Sequence, residues 1–222
     1  MTKSKSAAAQ SWLETSDAVI RGLNHEFSNR LSLARLAPQL SAMIATAEHA
    51  MHGLAESGAN SEDLLNLLRL YRLMVFDTTE PAEPLLVSDV LADAIDLFKH
   101  HATFRDMEVR VIADDTIPPV LMNPGALSRA VLLLLSAAAR QLPAAHADTG
   151  AIALGFAADA NAVRVVAKAV DSDTSESAAE LPELPALRYL IRDAEGSVDV
   201  ASDGITISIG TLVRLRQLEK QR

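Results

Sequence analysis

The sequence predicts an α+β protein, with a helical hairpin at the N-terminal end and a sandwich of helices on a mixed or antiparallel sheet behind it. Three observations predict this. Apolar residues recur at helical spacing from Ser16 to about Phe76, a break rich in proline and acid follows at residues 78–84, and alternating apolar runs then take turns with helical ones to the end of the chain.

The first helical pattern runs through Ile20, Leu23, Phe27, Leu31 and Ala34, then Met43, Ala47, Met51 and Leu54, with a candidate cap at Thr15-Ser16-Asp17 and a stop at Gly58. Pro38 lies inside it, removes a backbone donor, and predicts a kink or break near Leu36–Pro38. A second helix is expected from Asn60-Ser61-Glu62-Asp63, a cap with first-turn carboxylates, through Leu64, Leu67, Leu68 and Tyr71 to about Phe76. The hairpin loop then falls at Gly58-Ala59-Asn60. Beyond the break, a helix at about Val87–His100 leads to an alternating strand at Glu108–Ile112, and Ile117–Met122 introduces a strongly apolar helix at about Pro124–Gln141. Strands at Ala151–Phe156 and Val163–Val170, a helix at about Pro185–Ala194, and a hairpin of Ser197–Ala201 with Ile205–Leu215 around Asp203-Gly204 complete the pattern. Residues 1–14 read as a loose tail, 15–80 as a hairpin unit and 81–222 as a sandwich unit.

Composition narrows the function. With 49% hydrophobic residues the chain has ample core material, and eight aromatics leave that core to Leu, Val, Ile and Ala. Twenty-nine acidic residues stand against twenty basic ones, for a net charge of −9, and no lysine/arginine cluster tracks a phosphate backbone, so nucleic acid is not an expected partner. The absence of cysteine excludes disulfides, thiolate metal sites and thiol nucleophiles, and suits a reducing cytoplasm. The polar start does not read as a secretory signal, and no apolar run is long enough to span a bilayer, so no membrane association is expected.

At about 100° per residue, the stripe from Ile20 to Ala34 occupies one side of the first helix and His25 points away from it, with Arg21 and Asn29 one turn to either side and Glu26 adjacent. An exposed neutral imidazole can attack an acyl phosphate through Nε2, and a neighbouring carboxylate can hold or take up a proton. Helical phase alone favours an ordinary surface histidine. A two-helix hairpin has too little surface to bury its own stripe, and pairing two copies into a four-helix bundle is the usual remedy, so a homodimer is expected.

The run Leu23-Asn24-His25-Glu26-Phe27-Ser28-Asn29-Arg30-Leu31 resembles the H-box of sensor histidine kinases, in which a phosphoacceptor histidine is followed by an acid and, four positions on, by Asn or Thr. Pro119–Pro124 with Leu127 and the apolar helix is similar to the start of the N-box in the Bergerat-type (GHKL) ATPase domain of the same enzymes, and Leu187–Ile191 through Glu195–Val198 resembles that domain's last helix and strand. The resemblance covers nearly the whole chain, and it implies His25 as phosphoacceptor, Glu26 and Asn29 as its catalytic neighbours, and Arg21 and Arg30 as docking residues.

The nucleotide site of that family is degenerate here. Leu133 and Ala137 stand where the N-box asparagines would, and neither can ligate Mg²⁺, which needs oxygen donors. Asp171-Ser172-Asp173-Thr174-Ser175 replaces the family's glycine-bearing acidic box. The lid is replaced by a run with carboxylates at Asp171, Asp173, Glu176, Glu180 and Glu183 and no basic residue, which reads equally as an ordinary solvated acidic loop. The likeness is therefore to bacterial histidine phosphotransferases with a degenerate kinase body. It implies phosphoryl transfer between receiver-domain aspartates of response regulators, with a hybrid kinase among the partners, no cofactor on this chain, and Mg²⁺ only on the receiver. The alternatives are a receiver phosphatase using Glu26 and Asn29, or a non-catalytic regulator that docks through its bundle. His49 and His52 stand three apart on a helix but lack an evident third metal ligand, His100-His101 suit a helix C-terminus, and Trp12, Met43 and Met51 read as packing residues.

Overall fold

The computed structural model describes residues 2–43, 47–74, 81–112, 117–142, 150–170, 181–201 and 204–219. Two long helices open the chain, α1 (Thr2–Met43) and α2 (Ala47–Met74). They run antiparallel. Arg30 pairs with Asp63 and Asn24 with Tyr71, so one position climbs as the other descends. The expected loose tail is instead the start of α1, and the expected loop at 58–60 lies within α2. The first helix ends at Met43 and the second starts at Ala47, and α1 is continuous through Leu36–Pro38, where a break was expected. An interior Gly costs a helix about 1 kcal/mol and an interior Pro about 3 kcal/mol, and packing along a partner helix outweighs such local terms. Asn60–Asp63 is consequently mid-helix and not at a helix start.

A short strand β1 (Glu83–Leu85) sits inside the predicted linker and pairs antiparallel with β3 (Val120–Met122). The helix α3 (Ser88–Lys99) and strand β2 (Glu108–Ile112) fall where expected, as do α4 (Pro124–Arg140), β4 (Ala151–Ala158) and β5 (Ala162–Val170). The Asn123 side chain accepts from the Ala126 amide at 2.8 Å and Pro124 takes the first turn, which sets the start of α4. Then come α5 (Leu184–Ile191), one 3₁₀ turn at Arg192–Ala194, β6 (Ser197–Ala201), β7 (Gly204–Gly210) and α6 (Leu212–Glu219). The last strand was expected to reach Leu215, but from Leu212 onward the chain is helical. The turn at Asp203 and the acidic stretch 171–180 lie outside the described residues.

Five strands form one mixed sheet in the order β2-β4-β5-β7-β6, with β2 parallel to β4 and the other neighbours antiparallel. Alternate residues on one face, Ile152, Leu154, Val163, Val165, Ile205 and Ile207, are fully buried. That face packs on α4, which is buried from Leu127 to Ala139 because α3, α5 and the sheet all press on it. The N-terminal half of α1 lies across α5. Ala8, Trp12, Ala18, Val19 and Leu23 are buried there, so the intramolecular contact face of α1 is turned by about a quarter of the helix circumference from the predicted stripe. Farther out, Leu31 and Leu33 on α1 and Leu65 and Leu68 on α2 are 49%, 50%, 66% and 45% exposed.

Candidate functional site

The histidine of interest is placed by a notch in α1. Ala18 and Gly22 lie one turn apart, and the chain leaving α3 docks against them: the Ala102 amide donates to the Ala18 carbonyl at 3.2 Å, and the His100 carbonyl lies where a Cβ of Gly22 would stand. Glycine is unfavourable inside a helix, and here close backbone approach accounts for it. Fully buried Val19 and Leu23 flank the notch. His25, less than one turn on, is exposed on a helix that is held to the body.

Asn29 lies beside it as expected, with its Nδ2 3.4 Å from His25 Nε2, a long contact to which the amide nitrogen can bring only a donor. Arg21 is also exposed, and its guanidinium pairs with Asp17 at 3.0 Å. The other two predicted residues are placed differently. Glu26 turns from His25 and accepts from Arg30 Nε at 2.8 Å, while Arg30 Nη1 reaches Asp63 on α2 at 2.7 Å. The reason is helical spacing: Arg30 is four residues from Glu26, and an ion pair at that distance outcompetes an imidazole on the neighbouring residue. Arg30 is thus committed between the two helices, and it is only about a third exposed.

Sequence reading did not single out Tyr71 or Gly22. Tyr71 reaches across from α2 and its hydroxyl donates to Asn24 Oδ1, next to His25. Only the register of α1 on α2 reveals that contact. Gly22 did leave a signal, a glycine inside a strong helical pattern.

The paired histidines at the end of α3 are not cationic caps. His101 is buried, its ring stacks on Phe104 with centroids 4.5 Å apart, and its Nδ1 accepts from the Thr103 amide at 3.2 Å. Burial, assisted by the nearby Arg140 and Arg21 charges, lowers its pKa to about 4, so it is neutral at pH 7. His100 is lowered too, by burial, with Glu26 and Asp96 opposing the shift. Glu183, expected in a solvated loop, is fully buried and receives the Arg140 guanidinium. The side chains of His49, His52, Met43 and Met51, and the whole of Asp171, Asp173, Glu176 and Glu180, lie outside the described residues. Leu133 and Ala137 are completely buried on α4.

No family model matches the sequence, and no curated protein is similar to it. Among solved structures it is similar to the histidine kinase domain of a blue-light activated histidine kinase from Erythrobacter litoralis, with 18% identity over 86% of this chain and 98% of that one, at a TM-score of 0.42. It is also similar to the histidine kinase AdeS of Acinetobacter baumannii, with 13% identity over 85% and 98% of the two chains and a TM-score of 0.43. The mycobacterial sensor histidine kinase MprB gives 18% identity over 59% of this chain and 97% of that one, at a TM-score of 0.42. At these scores and identities the similarities define neither the family nor the activity of this chain.

Proposed function

We propose that this chain is a cytoplasmic histidine phosphotransfer protein of two-component signalling, which moves a phosphoryl group between receiver-domain aspartates through His25 and does not phosphorylate itself from ATP. The observation that carries the reading is an exposed imidazole on a helical hairpin, with an amide donor one turn away at Asn29. In the transfer, His25 Nε2 attacks the phosphorus of an aspartyl phosphate, the N–P bond forms, and the P–O bond to the aspartyl carboxylate breaks. The carboxylate leaves as the anion, and the reverse reaction passes the group to a second receiver. A neutral imidazole needs no base for this attack, which suits a Glu26 held by Arg30.

The loss of ATP-dependent chemistry rests on α4. Its Leu133 and Ala137 offer no oxygen to a magnesium ion and are packed into the core, so restoring a ligand there means opening the core. In this reading residues 81–222 are a relic ATPase-like body that adds docking surface, and the receiver brings its own Mg²⁺. No described helix is long and apolar enough to cross a membrane. Two copies pair through exposed leucines of the hairpin: Leu65 and Leu68 lie three residues apart on one side of α2, and large apolar side chains left in water favour association.

The test is transfer from a phosphorylated receiver to wild type and to His25→Ala. Acid-labile label on the wild type and none on His25→Ala supports the reading. Loss of receiver phosphate without label on either protein assigns a phosphatase, and an unchanged receiver assigns a non-catalytic regulator.

A further inference from the structure

An apolar cleft of about 250 Å³ lies between the N-terminal turns of α1 and the side of α5, remote from His25. Its walls include Lys5, Ala9, Trp12 and Leu13 on α1 and Tyr189 and Leu190 on α5. The positions of Lys5, Ala9 and Leu13, four residues apart, make one ridge of α1, and the small Ala9 leaves the space between the other two. Leu13 is 59% exposed although it borders a cleft floored by the buried Trp12. Along the axis the cleft ends about 18 Å from His25, and Ala9 is about 160° around the helix from it, so a protein docked on His25 leaves the cleft open.

Charge decides the class of occupant. Among the described residues that line the cleft, Lys5 carries the one charge, in a chain whose net charge is −9. Lys5 stands in the first turn of a helix of 42 residues with no acidic side chain in that turn, so the amide dipoles add positive potential beside the ammonium group. Beyond the lining, Arg192 lies over the Tyr189 ring, 5.0 Å from its centroid, but its guanidinium pairs with Asp193 at 2.9 Å, which leaves Lys5 as the charge that faces an occupant. The volume is just below that of sites for drug-sized ligands. We propose that the cleft binds a small amphipathic anion, with its aliphatic or aromatic body over Trp12 and its carboxylate at Lys5.

Trp12 is the one tryptophan of the chain, so its emission reports the cleft directly. The test titrates the full-length protein with decanoate and with decanol, following Trp12 fluorescence, and takes the stoichiometry from calorimetry. Saturable binding of one decanoate per chain, with decanol bound several-fold more weakly, supports the proposal. Lys5→Glu should weaken decanoate about threefold or more, since it puts a repelling charge where an exposed attracting one stood. Ala9→Phe fills the cleft from an exposed position and should abolish binding, with circular dichroism checking that it stays folded. Equal binding of decanol and decanoate, or binding that survives Ala9→Phe, overturns it. So does a Trp12 emission that shifts with protein concentration alone, which would mean that a second copy fills the cleft.

Discussion

The α-carbon of Gly22 lies against the carbonyl oxygen of His100, so close that a side chain at position 22 would overlap that oxygen. This contact, with the Ala102 amide on the Ala18 carbonyl, holds the His25-bearing helix to the end of α3. Gly22→Ala should force the two backbones apart and lower stability by about 1–3 kcal/mol, although alanine is the better helix former. Urea unfolding of the variant measures this, and a stabilised protein would disprove the contact.

Acid should weaken the fold through His101. Its pKa falls from 6.5 to about 4 on folding, because burial opposes the charged form. Below pH 6.5 the unfolded chain takes up a proton that the folded one refuses, so stability drops as pH falls from about 6.5 to about 4. The full loss from this group is about 3 kcal/mol. His100, also lowered, acts in the same direction. Urea midpoints measured across that window should slope for the wild type and flatten for His101→Phe.

Breaking the Arg140–Glu183 pair should be asymmetric. Glu183 is fully buried, with Oε2 lacking a partner among the described residues, whereas Arg140 is 39% exposed. Arg140→Ala strands a buried carboxylate and should cost about 3 kcal/mol. Glu183→Ala leaves a guanidinium that water can reach and should cost less. Equal losses in thermal or chemical denaturation would contradict this.

Glu26 should matter little for chemistry. Its carboxylate is taken by Arg30, which also bridges to Asp63. Glu26→Gln is therefore expected to slow phosphotransfer less than about tenfold, below the usual range for loss of a general base, while His25→Ala removes it. Arg30→Ala should reduce stability by about 1 kcal/mol, since its pairs with Glu26 and Asp63 remain a third or more exposed. Transfer kinetics and unfolding curves on the same three variants separate these roles.

The exposed leucines of the hairpin should set the oligomeric state. Leu65→Asp together with Leu68→Asp replaces side chains that are 66% and 45% exposed, so the monomer should fold normally. Sedimentation should find the wild type dimeric and the double variant monomeric. A monomeric wild type would remove the basis for the bundle.

Local pattern was enough for α3, α4, β2, β4, β5 and β6, whose alternating or helical spacing and capping residues act within a few positions. It also put His25 on an exposed side of a helix, because helical phase depends only on spacing. What local pattern misread was wherever a distant partner overrode a nearby signal. Local pattern makes Gly58 a stop and Pro38 a break, yet both lie in helices that pack along each other. Residues 1–14 looked too polar to order, but α5 and the Pro182 carbonyl, which accepts from Ser11 Oγ, supply the missing contacts.

The chain's own spacing thus determined which residues make helix or strand and which way His25 faces, since backbone geometry repeats over three or four residues. Tertiary structure alone decided that Glu26 belongs to Arg30, that His101 is neutral and buried, and that Gly22 receives the His100 carbonyl. Those outcomes depend on groups brought together from separate helices, and their energies arise only when packing excludes water between them.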